Sequence, residues 1–423
     1  MSDTTPADGG GASAAAAAPK RGPLAFWTNM PLYARILVGL VLGVAVGLAL
    51  GPAAKPFDWP ARIVLRVLGA LAPALILVAV VRAVMTAEVH GSMALRMAGL
   101  LVLNTVTAIV VGLGVASVIK PGTGAHLERP KTAPSIHGDV FSQLLDNVPD
   151  SLVRPLVENK VIGVVIIAVA FGVAARSLKG RERASAEDLV SLGFSCILVV
   201  LGWVIALVPL AVFGKVASIV GVSGFGPFAA LGWFVASVLT ALAVQATYYL
   251  TRIRLGSWVR PLELVRATRD ALVMAFSTAS STVTMPVTYD RLRRLGLRER
   301  SASLGALVGS NFNNDGTALY EAMAALFVAQ MLGVDLNLVD QLLVVVTSVI
   351  ASVGAAGIPE AGLVTMTLVF SAVKLPTEYI ALLLTVDWFL DRCRTTINVM
   401  GDMNVACLLD GRERAKPAEN VAK

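Results

Sequence analysis

The sequence predicts an all-α polytopic membrane protein, with eight transmembrane helices, two re-entrant helical hairpins and an inverted-repeat arrangement. Three observations carry that prediction. Of the 423 residues, 56% are hydrophobic and only 15% charged, and mean hydropathy is +0.75; soluble domains carry roughly 25% charge. Lysines and arginines gather in short clusters between apolar stretches, so the net charge of +7 reads as membrane topology and not as a nucleic-acid partner. Near the C-terminus, polar residues are threaded at helical spacing through an otherwise apolar segment. Cys196, Cys393 and Cys407 lie in apolar surroundings without a CxxC pair, which indicates neither a disulfide framework nor a zinc site.

Residues 1–24 are rich in Ala, Gly, Pro and Ser and too poor in large apolar side chains to offset ordering entropy. They read as a disordered tail without a secretory signal, so the first span is retained. That span, Leu32 to Leu50, carries the small residues of GLVLGVAVGLALG, which allow close helix contact. Ile63 to Met85 and Ala94 to Ile119 follow, each long enough for a ~30 Å hydrocarbon core. The Pro- and Gly-bearing stretch 120–150 reads as a loop. A fourth span covers Val161 to Val173, a long fifth Leu189 to Ile219, and a sixth Phe228 to Leu250.

Beyond this point the simple pattern breaks. Ala271 to Thr288 holds STASSTVT between two basic clusters; such a segment returns to its own side, so it predicts a re-entrant hairpin with a buried tip. Ala302 to Leu332 is interrupted by GSNFNNDGT, whose Asn, Asp and Gly compete for backbone hydrogen bonds and unwind the helix at its middle. Leu342 to Leu375 repeats the hairpin logic with its tip at GAAGIPEAG. In the last helix Asp387, Asp391, Arg394, Thr395, Asn398 and Asp402 fall within an arc of ~100°. Ionisable groups at membrane depth are costly unless paired and mark ligand or ion paths. An Asp391–Arg394 ion pair at i, i+3 is the structural alternative, yet three carboxylates against one arginine still call for a cation. Placing the basic clusters at 176–183, 252–269, 291–300 and 412–416 on one side, with Lys20 and Arg21, puts both termini in the cytoplasm of a cell (inner) membrane protein.

NDGTALYEA (Asn314 to Ala322), GAAGIPEAGLVTM (Gly354 to Met366) and VDWFLDRCRTTINVMGD (Val386 to Asp402), in this order and spacing, resemble the dicarboxylate/amino acid:cation symporters, the family of the excitatory amino acid transporters. STASSTVTMP is similar to that family's first hairpin tip. The resemblance is strong from Ala271 to Asp402 and mostly hydropathy before that. It implies a homotrimer working by elevator-type alternating access, with scaffold helices mainly in 25–255 (spans 1, 2, 4 and 5, alongside mobile spans 3 and 6). The transport core occupies 256–410 and a cytoplasmic tail 411–423.

Physics and resemblance agree on roles. Arg394, a permanently charged fork, suits a bidentate substrate carboxylate. Asp391, one turn earlier, accepts an α-ammonium, which favours glutamate or aspartate over a plain dicarboxylate. Thr395, Asn398 and Thr317 supply neutral hydrogen bonds, and backbone at Ser280, Ser281, Ile358 and Gly362 lines the hairpin tips. By motif match, Gly309, Asn313, Asn398 and Asp402 form one Na⁺ site. Asp315 and Asn313 contribute to a second, and Asn311, Ser352, Val353 and Ala355 to a third, with Asn104 and Thr105 of the third span as further candidate ligands. Glu321 matches the position that carries a proton in the family's proton-coupled members, with a glutamate paired to a neighbouring helix as the alternative, so the coupling ion is Na⁺, H⁺ or both, with no other cofactor. The chain departs from the family at Asn314, where the motif has Met, and at Asn311, Leu101 and Asn104; either an asparagine NH₂ donates where a sodium would sit and lowers the ion stoichiometry, or the Asn oxygens simply replace other ligands. Glu360 and the histidines His90, His126 and His137 receive no role. A C4-dicarboxylate or neutral amino acid carrier is the alternative of the same fold. A hydrolase is disfavoured because no GxSxG elbow and no Ser–His pairing occur.

Overall fold

The computed structural model describes residues 27, 30–86, 92–123, 149–158, 160–354 and 361–414, and among them there is no strand. The positions expected at Ala355, Ile358 and Glu360, the three histidines, both tails and most of the 120–150 loop lie outside the described residues.

The first span forms as predicted: α1 runs Leu32–Leu50 and buries Gly39, Gly43 and Gly47. These glycines face α6 (Val208–Ser223) so closely that a Cβ on Gly43 would stand 2.7 Å from the Phe213 carbonyl oxygen and 2.9 Å from Val216 Cβ. A 3₁₀ stretch, Gly51–Asp58, leads into α2 (Trp59–Thr86), followed by α3 (Ser92–Ile119) and α4 (Val161–Ser177).

The expected fifth span is corrected. Instead of one helix from Leu189 to Ile219 there are two, α5 (Gly180–Ala206) and α6, separated at Leu207. Pro209 lacks an N–H and its ring clashes with the carbonyl four residues back, so a helix arriving at Ile205 must break and restart. The restart begins a turn ahead of Phe213, which is what lets α6 lie along α1.

The long helix α7 (Gly226–Gly256) leads through a short turn of helix to a helix–turn–helix pair, α8 (Arg269–Thr278) and α9 (Ser281–Leu295). Ala279 takes a left-handed conformation, and the Ser280 side chain caps α9 by accepting from the Val283 N–H. A helical run over 299–312, α10, contains a π-helical turn, Ser303–Val308. That wide turn brings Gly305 against the backbone of the last helix, where a Cβ would meet Ala406 N and Cα at 2.7 Å. The predicted unwinding is present: Asn313 and Asn314 are non-helical, and α11 starts at Asp315, running Asp315–Met331. The second pair is α12 (Leu338–Gly354), capped by Asn337, and α13 (Ala361–Ala372). The last helix, α14, extends over Ile380–Asp410.

α11 and α14 form the centre. Every residue of α11 except Gln330 is buried, and α14 is buried along most of its length. Helices buried on nearly every face need neighbours all round; α3, α7 and both helix pairs supply that surround. Among the described residues, the stretches Leu32–Met85, Leu95–Ile119, Gly180–Ala206 and Gly226–Gly256 are long and apolar enough to cross a membrane.

Gly43→Val places branched carbons where the Phe213 carbonyl now sits. The expected outcome is loss of α1–α6 packing at about 1–3 kcal/mol, read as a fall of several degrees in the thermal unfolding midpoint of detergent-purified protein.

Candidate substrate and cation site

The polar face of α14 points into the core: Asp387, Asp391, Arg394, Thr395, Asn398 and Asp402 are all buried, and Arg394 is 0% exposed. A guanidinium so placed needs charged partners, because its desolvation otherwise costs several kcal/mol. It has two. Nη1 donates to Asp387 Oδ1 and Nη2 to Asp391 Oδ1, each at 2.8 Å. The Tyr320 ring lies across the guanidinium face, 4.0 Å from Cζ, a distance suited to cation–π attraction. The i, i+3 pair with Asp391 is thus made, and Asp387 adds a second. Gly362, at the start of α13, closes over this group: a Cβ there would lie 3.4 Å from Arg394 Nη2 and 3.1 Å from Thr317 Cγ2.

Asn398 ties α14 to the broken helix. Its Oδ1 accepts from the Gly316 N–H at 2.7 Å, and its Nδ2 donates to Asn314 Oδ1 and Thr317 Oγ1, both at 3.4 Å. The first N–H groups of a helix have no partner within it, so a side chain from α14 meets the need of α11. Gly316 allows the approach, since a Cβ would stand 2.7 Å from the Arg394 carbonyl oxygen. Next to this junction Asn313 Nδ2 donates to the Asn398 carbonyl at 2.8 Å and to Asp402 Oδ1 at 3.1 Å. Its own Oδ1 is buried without a partner among the described residues. Gly309 lies beside Asp402, with Oδ1 3.1 Å from a Cβ position. The four residues Gly309, Asn313, Asn398 and Asp402 therefore meet in one place.

Asp315 anchors a second cluster. It accepts from Thr105 Oγ1 at 2.6 Å and from the Tyr249 hydroxyl. Asn104 turns to other partners: its Nδ2 donates to Asn404 Oδ1 at 3.3 Å, and its Oδ1 accepts from Arg252. Asn404 in turn donates to the Tyr249 carbonyl at 3.1 Å. Tyr249, Arg252, Asn404 and Tyr320 were not singled out from the sequence. A signal existed for two of them, because Gln245, Tyr249 and Arg252 recur at i, i+4 and i+7 and share one face of α7.

In the third cluster, the side chains of Asn311 and Val353 and all of Ala355 fall outside the described residues. Its remaining member, the Ser352 carbonyl, accepts from Asn314 Nδ2 at 2.9 Å. At the first helix pair, Ser281 Oγ donates to the Ser310 carbonyl at 3.2 Å. Arg392 holds the same tip by donating to the carbonyls of Phe276 and Ser277. Glu321 is fully buried; its Oε1 accepts from Thr365, and its Oε2 has no partner among the described residues.

Comparison with known proteins agrees with this architecture. The profile of the sodium:dicarboxylate symporter family matches residues 32–412. Excitatory amino acid transporter 1 of Ambystoma tigrinum is 30% identical over 416 residues, covering 82% of this chain and 76% of its own. Excitatory amino acid transporter 4 of Mus musculus is 30% identical over 439 residues, covering 84% and 77%. A C4-dicarboxylate transport protein of Sphingopyxis alaskensis is 29% identical over 329 residues, covering 75% and 73%.

Proposed function

Because the chain belongs to the sodium:dicarboxylate symporter family, we propose that it is a secondary active symporter of acidic amino acids, coupled to Na⁺, H⁺ or both. The observation that carries this reading is the buried Arg394 fork held by Asp387 and Asp391. On this reading Asp391 keeps the place of a substrate carboxylate. An arriving glutamate or aspartate puts its side-chain carboxylate on Nη2, and the released Asp391 takes the α-ammonium. One charged pair is exchanged for two, and the substrate's α-carboxylate is left to the neutral donors of the site and to the coupled cations. A C4-dicarboxylate, the substrate class named for one relative, would release Asp391 and offer it nothing. Asn398, Thr317 and Thr395 complete the polar wall, and backbone at Ser280, Ser281, Ile358 and Gly362 closes it.

Cations enter by the same accounting of charge. Asp315, Glu321, Asp387, Asp391 and Asp402 are buried along α11 and α14, and among the described residues Arg394 is the one fully buried cation. The Gly309, Asn313, Asn398 and Asp402 group suits Na⁺: turning the Asn313 amide over presents its unpartnered Oδ1 beside the Asn398 carbonyl and Asp402, and the amide outline is unchanged by that turn. Asp315 with Thr105 and Asn313 makes a second oxygen-rich group, although Asn104 is committed to Arg252 and Asn404. At the third, Asn314 supplies a donor to the Ser352 carbonyl, which argues for fewer coupled sodium ions. Glu321, with one oxygen unpartnered among the described residues, is the proton carrier.

The proposed architecture has eight spans with two hairpins entering from opposite sides, in a homotrimer with both termini cytoplasmic. A scaffold of α1, α2 and α4–α6 stays fixed while α3, α7, the hairpins, α10, α11 and α14 move across it.

The test is uptake of labelled aspartate into proteoliposomes under imposed Na⁺, H⁺ or no gradient. Arg394→Ala is expected to lower uptake about 10- to 150-fold, the worth of one charge-assisted hydrogen bond; unchanged uptake removes the assignment. Glu321→Gln is expected to make uptake insensitive to pH, and a retained full pH dependence assigns the proton elsewhere. Asn314→Met frees the Ser352 carbonyl and is expected to steepen the Hill slope for sodium, whereas an unchanged slope gives Asn314 no part in coupling.

A further inference from the structure

Away from the buried site, at the end of the helical core where α7, α9 and α14 all terminate, lies an open cavity of about 730 Å³. Arg260, Arg266, Arg291, Arg294 and Arg414 line it, with Glu263 as the one carboxylate in its wall. Two of these arginines have local partners: Arg291 pairs with Asp270 at 2.8 Å and Arg294 with Asp290 at 2.9 Å. Among the described residues, no ion pair within 4.0 Å is made by Arg260, Arg266 or Arg414. Arg414 is instead stacked on Trp258, with Cζ 4.8 Å from the ring centre, and Trp258 Nε1 is fixed by Asp410 Oδ2 at 2.7 Å. A tryptophan with an apolar body and a tethered N–H suits the boundary between lipid and water.

We propose that this cavity binds the phosphate headgroup of an anionic phospholipid. Guanidinium forks match phosphate oxygens in pairs, and basic pockets at the ends of transmembrane helices hold such headgroups. The choice of lipid over free phosphate follows from the rim. Leu262, 61% exposed, lines the cavity, and Leu255, 67% exposed, stands just before it at the end of α7; both offer apolar surface to acyl chains. The site is built from the segments leading into and out of the α8–α9 hairpin and from the end of α14, so an occupied cavity ties together elements that the transport reading assigns to one moving unit.

The test is calorimetric titration of the full chain, purified in detergent, with short-chain phosphatidylglycerol, phosphatidylcholine of equal chain length, and inorganic phosphate. Phosphatidylglycerol is expected to bind saturably and less tightly as salt rises, phosphatidylcholine not to displace it, and inorganic phosphate to bind at least about tenfold more weakly. Arg260→Gln with Arg266→Gln is expected to weaken phosphatidylglycerol binding roughly 30-fold, while Arg181→Gln with Arg183→Gln, outside the cavity, leaves it unchanged. If the double variant aggregates, Arg266→Gln alone is expected to weaken binding about fivefold. Binding unaffected by the cavity variants, or phosphatidylcholine competing equally, overturns the site. Phosphate binding as tightly as the lipid overturns the assignment to lipid.

Discussion

The structure depends on one arrangement: a guanidinium with no contact to solvent, held from both sides by carboxylates of its own helix. Arg394 can be buried only because Asp387 and Asp391 meet its fork at 2.8 Å, and the two acids can be buried only because Arg394 is there. Removing either partner strands a charge in a low-dielectric interior, which costs more than the pair contributes. Two acids to one base still leave an excess of negative charge. On the proposed reading, that excess is what a cation and a ligand carrying both signs would answer.

Holding this group in place falls to backbone, more than to side chains. Gly316 brings the start of α11 against the Arg394 carbonyl, Gly362 brings α13 over the fork, and Gly401 leaves room for the Asn313 amide and the Tyr249 hydroxyl. The π turn at Ser303–Val308 does the same on the far side by seating Gly305 on Ala406. Each close approach sits next to a break in regular helix, where unpaired N–H and C=O groups are available. Asn398 satisfies those at α11 from a neighbouring helix, and Arg392 satisfies those at the α8–α9 tip. Irregular backbone is tolerated at depth when protein groups complete it, and here the completing groups come from α14 in both cases.

Much of this was legible in sequence because two signals are strong: long apolar runs, and polar residues recurring at helical spacing within one of them. The first span and the inward face of α14 follow from those signals directly, and the unwound Asn313–Asn314 from residues that compete for backbone hydrogen bonds. The fifth span was misread because hydropathy continues smoothly across Pro209, whereas the backbone cannot. Arg252 reads in the sequence as one member of a basic cluster and Tyr249 as part of an apolar helix, although they share a face with Gln245, and their roles emerge only when α3, α11 and α14 are packed around them. The partner of Asp391 was also open: spacing permits a bond to Arg394, but whether that bond or an empty cavity wins is decided by how close α11 and α13 approach.

The asparagines carry the last step of the argument. An amide can offer a donor or an acceptor in the same volume, so it can satisfy a carbonyl when no cation is present and join that carbonyl as a ligand when one arrives. Asn313 is placed to do this, with its Nδ2 on the Asn398 carbonyl and on Asp402 and its Oδ1 free of partners among the described residues. Asn314 differs: its Nδ2 holds the Ser352 carbonyl while its Oδ1 accepts from Asn398. Turning either amide over breaks two hydrogen bonds, but both of Asn313's end on oxygens that a cation would take over, whereas turning Asn314 also sets its Nδ2 against the Asn398 Nδ2. The same residue type, one position apart, is therefore poised to exchange with a cation in the first case and to stand in for one in the second, and a difference in ion coupling from relatives with methionine at the latter position would begin there.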